Sequence, residues 1–284
     1  MSSEEGSSSI SLEVSRAILI DKYREIEEKA VRHIRAGDTE DNYLLTGEKE
    51  DNRYSITAIS LISGPADAFI NSVVVPSVEN ADASAQWVPN GFRHITLRDL
   101  NFNKDGRRAT NIDAIAARRY FEAVRKSFEK PYGSAKVELV KIIPTIDKDQ
   151  NSVSIVAAFL PIDTKIVDIR QKLGKSVKDA GLLQEGREGG DIIFSTLGRF
   201  PHHPLGKGDS VPLLEALNRI NEQISSKCYA TINDVDLLST APGKWISVER
   251  HVYLIPPISL VQENPPAQTH FVRPAHRRML NSIE

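Results

Sequence analysis

The chain has one cysteine, Cys228, among 284 residues. An intramolecular disulfide and any multi-cysteine metal site are excluded, and a lone thiol fits a reducing compartment. No apolar run reaches the roughly 18 residues that a membrane-spanning helix needs. Neither sign of charge dominates: 36 Lys and Arg stand against 38 Asp and Glu, for a net charge of −2. That balance gives no general attraction to nucleic acid or anionic lipid, so a phosphate-bearing ligand must be held by a local site. Aromatics make up 6% of the residues, without the interleaving of an RNA-binding sheet. There is no HExxH and no G-x-S-x-G, and "GREGG" lacks the spacing and trailing Lys-Ser/Thr of a phosphate loop. Metal and cofactor are therefore not expected.

What is present is a succession of short apolar runs and amphipathic helices. Residues 11–36 place Ile18, Ile20, Tyr23, Ile26, Ala30 and Ile34 at helical spacing, and Gly37 supplies a stop. "YSITAISLIS" (54–63) reads as a buried strand ended by Gly64-Pro65, and "RHITLR" (93–98) as a second. A helix follows at 111–130 with Asn111 as its cap. Two strands, 135–145 and 152–160, precede a helix at 163–182. "DIIFSTLGRF" (191–200) holds the next strand, and residues 210–227 form a helix with Ser210 as cap and Pro212 in its first turn. "CYATINDVDLLS" and "WISVERHVYLI" read as the last two strands.

Two of these strands are near copies. "HITLR" begins at His94, and "FSTLGR" begins one hundred positions later at Phe194. The elements divide into two similar halves, each with one copy ahead of a helix. A duplicated α+β unit with two antiparallel sheets side by side is the simplest arrangement. Alternate side chains of a strand share a face, so His94 with Thr96, and Phe194 with Thr196, would line a groove between two pseudo-symmetric lobes. Hydroxyls there suit the nonbridging oxygens of a phosphodiester, and an imidazole suits proton transfer.

On these residues the chain resembles the 2H phosphoesterase superfamily, which is named for two His-x-Thr/Ser-x motifs on strands of a two-lobed α+β fold. "HITL" (94–97) carries the first motif in full, and "FSTL" (194–197) stands where the second belongs. The resemblance implies a 2′,3′-cyclic phosphate or a related RNA-end or nucleotide phosphodiester as substrate. It also implies His94 as acid/base, with Thr96 and Thr196 gripping the phosphoryl oxygens. Phe194 replaces the second imidazole and can carry no proton, so a two-His mechanism does not transfer. The alternatives are a binding module that keeps the groove without turnover, and a scaffold acting through the N-terminal helix and C-terminal extension. Phe194, Arg199, His202, His203 and Tyr253 are further candidates for substrate contact. The expected division is a disordered tail (1–9), an N-terminal helix and linker (10–52), the two-lobed domain (53–260) and a C-terminal extension (261–284). A monomer in the cytoplasm or nucleus, with a nucleotide or RNA terminus as partner, completes the expectation.

Overall fold

The computed structural model describes residues 11–37, 55–99, 114–146, 152–179, 192–209, 211–240, 251–253, 258–262 and 273–274. Helix α1 (Leu12–Ala36) opens with the Ser11 side chain accepting from Val14 N–H. It closes at Gly37, whose φ of 76° lies in the left-handed region that glycine enters without strain. Its buried stripe is Leu19, Tyr23, Ala30 and Ile34, whereas Ile18 and Ile20, counted from the sequence as part of that stripe, face solvent.

One sheet has the strand order β11-β9-β8-β1-β3, with β10 on β8. Its strands are β1 (Ser55–Leu61), β3 (His94–Asp99), β8 (Asp234–Thr240), β9 (His251–Tyr253), β10 (Ile258–Ser259) and β11 (Arg273–Pro274). The other has the order β2-β6-β5-β4-β7, from β2 (Gln86–Trp87), β4 (Ala135–Ile146), β5 (Val153–Pro161), β6 (Phe194–Arg199) and β7 (Tyr229–Ile232). All the pairings are antiparallel. The expected two-lobed α+β architecture is present. β5, an almost unbroken apolar run, is buried along its whole length, as a strand covered on both faces must be.

Two details depart from the sequence reading. "CYATINDVDLLS" is not one strand: the chain leaves the second sheet at the end of β7 and enters the first as β8, with Asn233 between. More consequentially, residues 65–81, to which the sequence reading assigned no helix or strand, are helical: α2 (Pro65–Phe69), a π turn (Ile70–Val74) and α3 (Val75–Ala81). Ala66, Ile70, Val74 and Val78 are fully buried at a constant spacing of four, which is a helical stripe. Pro76 explains the π turn. It has no N–H for the carbonyl one turn back, and its ring clashes there, so a locally widened helix accommodates it.

The remaining helices are α4 (Ala114–Ser127), α5 (Lys165–Asp179) and α6 (Pro212–Glu222). The cap positions expected at Asn111 and Ser210 lie outside the described residues. Helix α1 packs on β4 and β5, α6 on β4 and α3, and α5 on β3, β4 and α4. A single apolar cluster contains Ala58 and Leu97 of the first sheet together with Val156 and Phe159 of the second, so the lobes share one core. Among the described residues no helix is long and apolar enough to cross a membrane.

Candidate functional site

The two similar strands occupy equivalent places. In the first sheet, Ile59, Ser60 and Leu61 pair with Thr96, Ile95 and His94. In the second, Val156, Ala157 and Ala158 pair with Thr196, Ser195 and Phe194. Both ladders shift register at the same point, between Ala58 and Ile59 and between Ile155 and Val156. Each bulge gives one strand an extra residue, Leu97 in β3 and Leu197 in β6, and reverses the alternation beyond it. The matching extends to the approach: Ile62 N–H donates to the Arg93 carbonyl at 2.9 Å, and Phe159 N–H to the Ile193 carbonyl at 2.8 Å.

The register assigns the faces. Residues paired across a ladder share a side, so His94 and Thr96 stand with Leu61 and Ile59, while Ile95 points back into the core. Phe194, Thr196 and Arg199 likewise stand with Ala158, Val156 and Ser154. His94, Thr96, Phe194, Thr196 and Arg199 are all half-buried, whereas Ile95, Leu97, Ser195 and Leu197 are buried. Strands β3 and β6 pack beside each other. Ile59 and Leu61, the neighbours of Thr96 and His94, form a small apolar cluster with Val88 and Phe92 from the segment joining β2 to β3.

The His94 ring is oriented by its own chain. Nδ1 lies 2.9 Å from the Phe92 carbonyl. A carbonyl only accepts, so in the neutral ring the proton resides on Nδ1 and the lone pair on Nε2, the arrangement a general base requires. At position 194 a larger ring stands beside a smaller neighbour, Ala158 in place of Leu61. The corresponding carbonyl, Ile192 O, accepts from Arg170 Nη2 at 2.7 Å, and that nitrogen also donates to Thr96 O at 2.8 Å. One guanidinium from α5 thus spans the two similar strands.

Tyr23 reaches the same place from α1. Its hydroxyl lies 2.7 Å from both the Phe159 and Ile193 carbonyls, and it accepts from Ile193 N–H at 3.0 Å. Burial pushes its ionisation well above the ordinary tyrosine range, against the lowering effects of the Ile193 hydrogen bond and the Arg170 charge. Behind His94, the buried Arg93 donates to Asn71 Oδ1 at 2.6 Å and lies 3.7 Å from Asp67. Burial lowers the Arg93 ionisation and raises that of Asp67 despite their mutual attraction, so desolvation outweighs the pairing. The contribution of this pair is to hold α2 against β3.

The other candidates are more distant. His202 is exposed and His203 half-buried, in a loop past the far end of β6. Leu205 N–H ties that loop to Asp82 and Gly208 N–H ties it to the Arg35 carbonyl. β6 alone separates this end from Phe194 by roughly 16 Å. Tyr253 lies on β9, three strands from β3 and so roughly 14 Å away, and its side chain is outside the description. Among the described residues no cluster of His, Cys, Asp and Glu could hold a metal ion. Tyr23 and Arg170 were not candidates from the sequence, because each acts through backbone carbonyls remote along the chain.

Gly198 marks where the halves differ. Position 98 is Arg in β3, which among the described residues ends its sheet, whereas β6 is flanked by β2. A Cβ on Gly198 would lie 2.9 Å from the Gln86 carbonyl and 2.9 Å from the Trp87 ring. Gly198→Ala is therefore expected to destabilise the protein by about 1–3 kcal/mol through overpacking. Denaturant unfolding measures it, and an unchanged midpoint would show that β2 yields without cost.

No protein-family model matches the chain, and no curated protein matches it either. Solved structures with a similar arrangement include E. coli LigT in its apo form, with a TM-score of 0.45 and 9% identity over 74% of this chain and 99% of that one. TT0787 of Thermus thermophilus gives 0.46 and 13%, over 74% of this chain and 100% of its own. Kluyveromyces marxianus Usb1 gives 0.41 and 10%, over 68% and 96%. LigT has also been solved complexed with 3′-AMP. The likeness is one of fold.

Proposed function

We propose that the chain is a 2H phosphoesterase-like protein that takes a 2′,3′-cyclic phosphate, or a related RNA-end or nucleotide phosphodiester, between β3 and β6. The observation supporting this reading most directly is the matched register. Both strands carry a Thr at the third motif position on the half-open face, one bulge away from an Arg or Asp at the strand end. Thr96 and Thr196 donate to the nonbridging oxygens, and Arg199, on the same face as Thr196, supplies positive charge. His94 Nε2 takes a proton from water as its oxygen attacks phosphorus. The bond to the ribose oxygen breaks, and that oxygen takes its proton from solvent, because Phe194 has none to give. Turnover on this scheme is slow.

Phe194 favours a second reading, a module that binds the phosphodiester and does not cleave it, with the ring packed on a base or sugar. One experiment separates the two. Wild type and the Thr96→Val and Thr196→Val variants are titrated with 2′,3′-cyclic nucleotides and with RNA bearing a cyclic end, and the products are followed. Each lost hydrogen bond to a charged ligand is expected to weaken binding by about 10–100-fold. Slow turnover supports the enzyme, and saturable binding without turnover supports the module. Binding that neither Thr substitution weakens places the ligand elsewhere and sinks both.

A further inference from the structure

We infer that Arg170 is a positioning residue that sets the spacing of the two similar strands, and with it the separation of the side chains on either side of the groove. Three observations converge. A single nitrogen, Nη2, donates to carbonyls on different lobes: Thr96 O, in the middle of the first motif, and Ile192 O, two residues before the second. Among the described residues no ladder joins β3 to β6 directly, since they belong to different sheets, so a side chain that bonds to both strands bears on their separation. Finally, the neighbouring residue Ile193 donates its N–H to the Tyr23 hydroxyl, whose one hydrogen is shared between the Ile193 and Phe159 carbonyls, and the Arg170 charge is felt at that hydroxyl. The start of β6 is thus gripped from α1 and from α5, while the α5 grip extends to β3 as well.

The pseudo-symmetry sharpens the point. In the first half the carbonyl two residues before the motif receives the His94 ring. In the second half the equivalent carbonyl receives Arg170. Where one strand uses its own imidazole to order its start, the other is ordered by a cation that simultaneously holds the first strand.

This inference rests on the proposed phosphodiester site for its functional readout, so the test carries a second readout that does not. Arg170→Met keeps an unbranched stem and removes the donors. Arg170→Lys keeps the charge and donors on a stem about one bond shorter. Three measurements are made on the full chain: thermal melting, affinity for a 2′,3′-cyclic nucleotide, and hydrogen exchange of segments 94–99, 192–199 and 235–237. Arg170→Met is expected to bind about 10–100-fold more weakly, the loss of about one hydrogen bond to a charged ligand when the two threonines no longer reach it together, with Arg170→Lys between it and wild type. Exchange should rise in 94–99 and 192–199 together and stay unchanged in 235–237. Wild-type affinity in Arg170→Met, or exchange rising in only one of the two motif segments, overturns the inference. If wild type binds no cyclic nucleotide, the functional reading fails by itself, and the paired rise in exchange still decides the spacing role. If Arg170→Met does not fold, the same criteria are read from Arg170→Lys.

Discussion

Phe194→His is expected to raise turnover of a 2′,3′-cyclic nucleotide by about 10²–10⁴-fold, the contribution of one positioned acid/base group. The site can admit the smaller ring, because Phe194 stands beside Ala158 and is only half-buried. The new imidazole finds a carbonyl for its Nδ1 where His94 finds one, at Ile192 O. That oxygen already accepts from Arg170, and its second lone pair remains to accept another donor. The nearby guanidinium disfavours the protonated ring, and because this imidazole is the proton donor, the alkaline limb of the rate profile should fall at a lower pH than an ordinary histidine would set. His94→Ala in the same background should return turnover to the wild-type level or lower. Rates of product formation across pH 5–8 measure both effects. A Phe194→His variant that binds the nucleotide and gains no rate would show that position 194 does not face the reacting bond.

Tyr23→Ala should destabilise the protein by about 3–5 kcal/mol, the usual loss for a buried aromatic, and should weaken nucleotide binding as well, since the start of β6 loses its grip on α1. Tyr23→Phe isolates the hydroxyl and should cost about 1–3 kcal/mol, the penalty for leaving buried backbone groups unsatisfied. Both losses shrink as pH rises, because neither variant keeps the hydroxyl that titrates. Burial raises the Tyr23 ionisation in the folded state above its ordinary range near 10. Above pH 10 the unfolded chain releases this proton while the folded protein keeps it. Stability therefore falls as pH rises, with a slope approaching about 1.4 kcal/mol per pH unit. Tyr23→Phe lacks that slope, so its melting curve should converge on that of wild type between pH 9 and 12. A constant gap throughout that interval would mean that the hydroxyl is not buried as described.

The two lobes and the repeated strand were legible from the sequence because they are local patterns. Alternating β-branched runs mark strands, and a motif recurring at a fixed distance marks duplication. The helix at 65–81 was not legible for an equally local reason. "INSVVVPSVEN" is rich in β-branched residues and contains Pro76, both signals against helix, and only the spacing of Ala66, Ile70, Val74 and Val78 argues for it. Burial won over propensity, with the π turn accommodating the proline. For the site, His94, Thr96 and Thr196 announce themselves by residue type at strand spacing. Tyr23 and Arg170 do not: one looks like any aromatic on a helix stripe, the other like any helix arginine. Their partners are carbonyls, which every residue possesses, and only the folded chain shows which ones they meet.

The paired bulges at Leu97 and Leu197 have a consequence for how such a protein can change over time. A strand kept in place by an extra backbone residue owes its alignment to main-chain geometry and not to whichever group projects from positions 94 or 194. Exchange of imidazole for phenyl can then alter chemistry without disturbing the frame, and the reverse exchange is open on the same terms. Deleting a motif residue other than the bulged leucine would instead shift the ladder by one and transpose every side chain on one side of the cut to the opposite surface, and no later substitution at a single position could undo that.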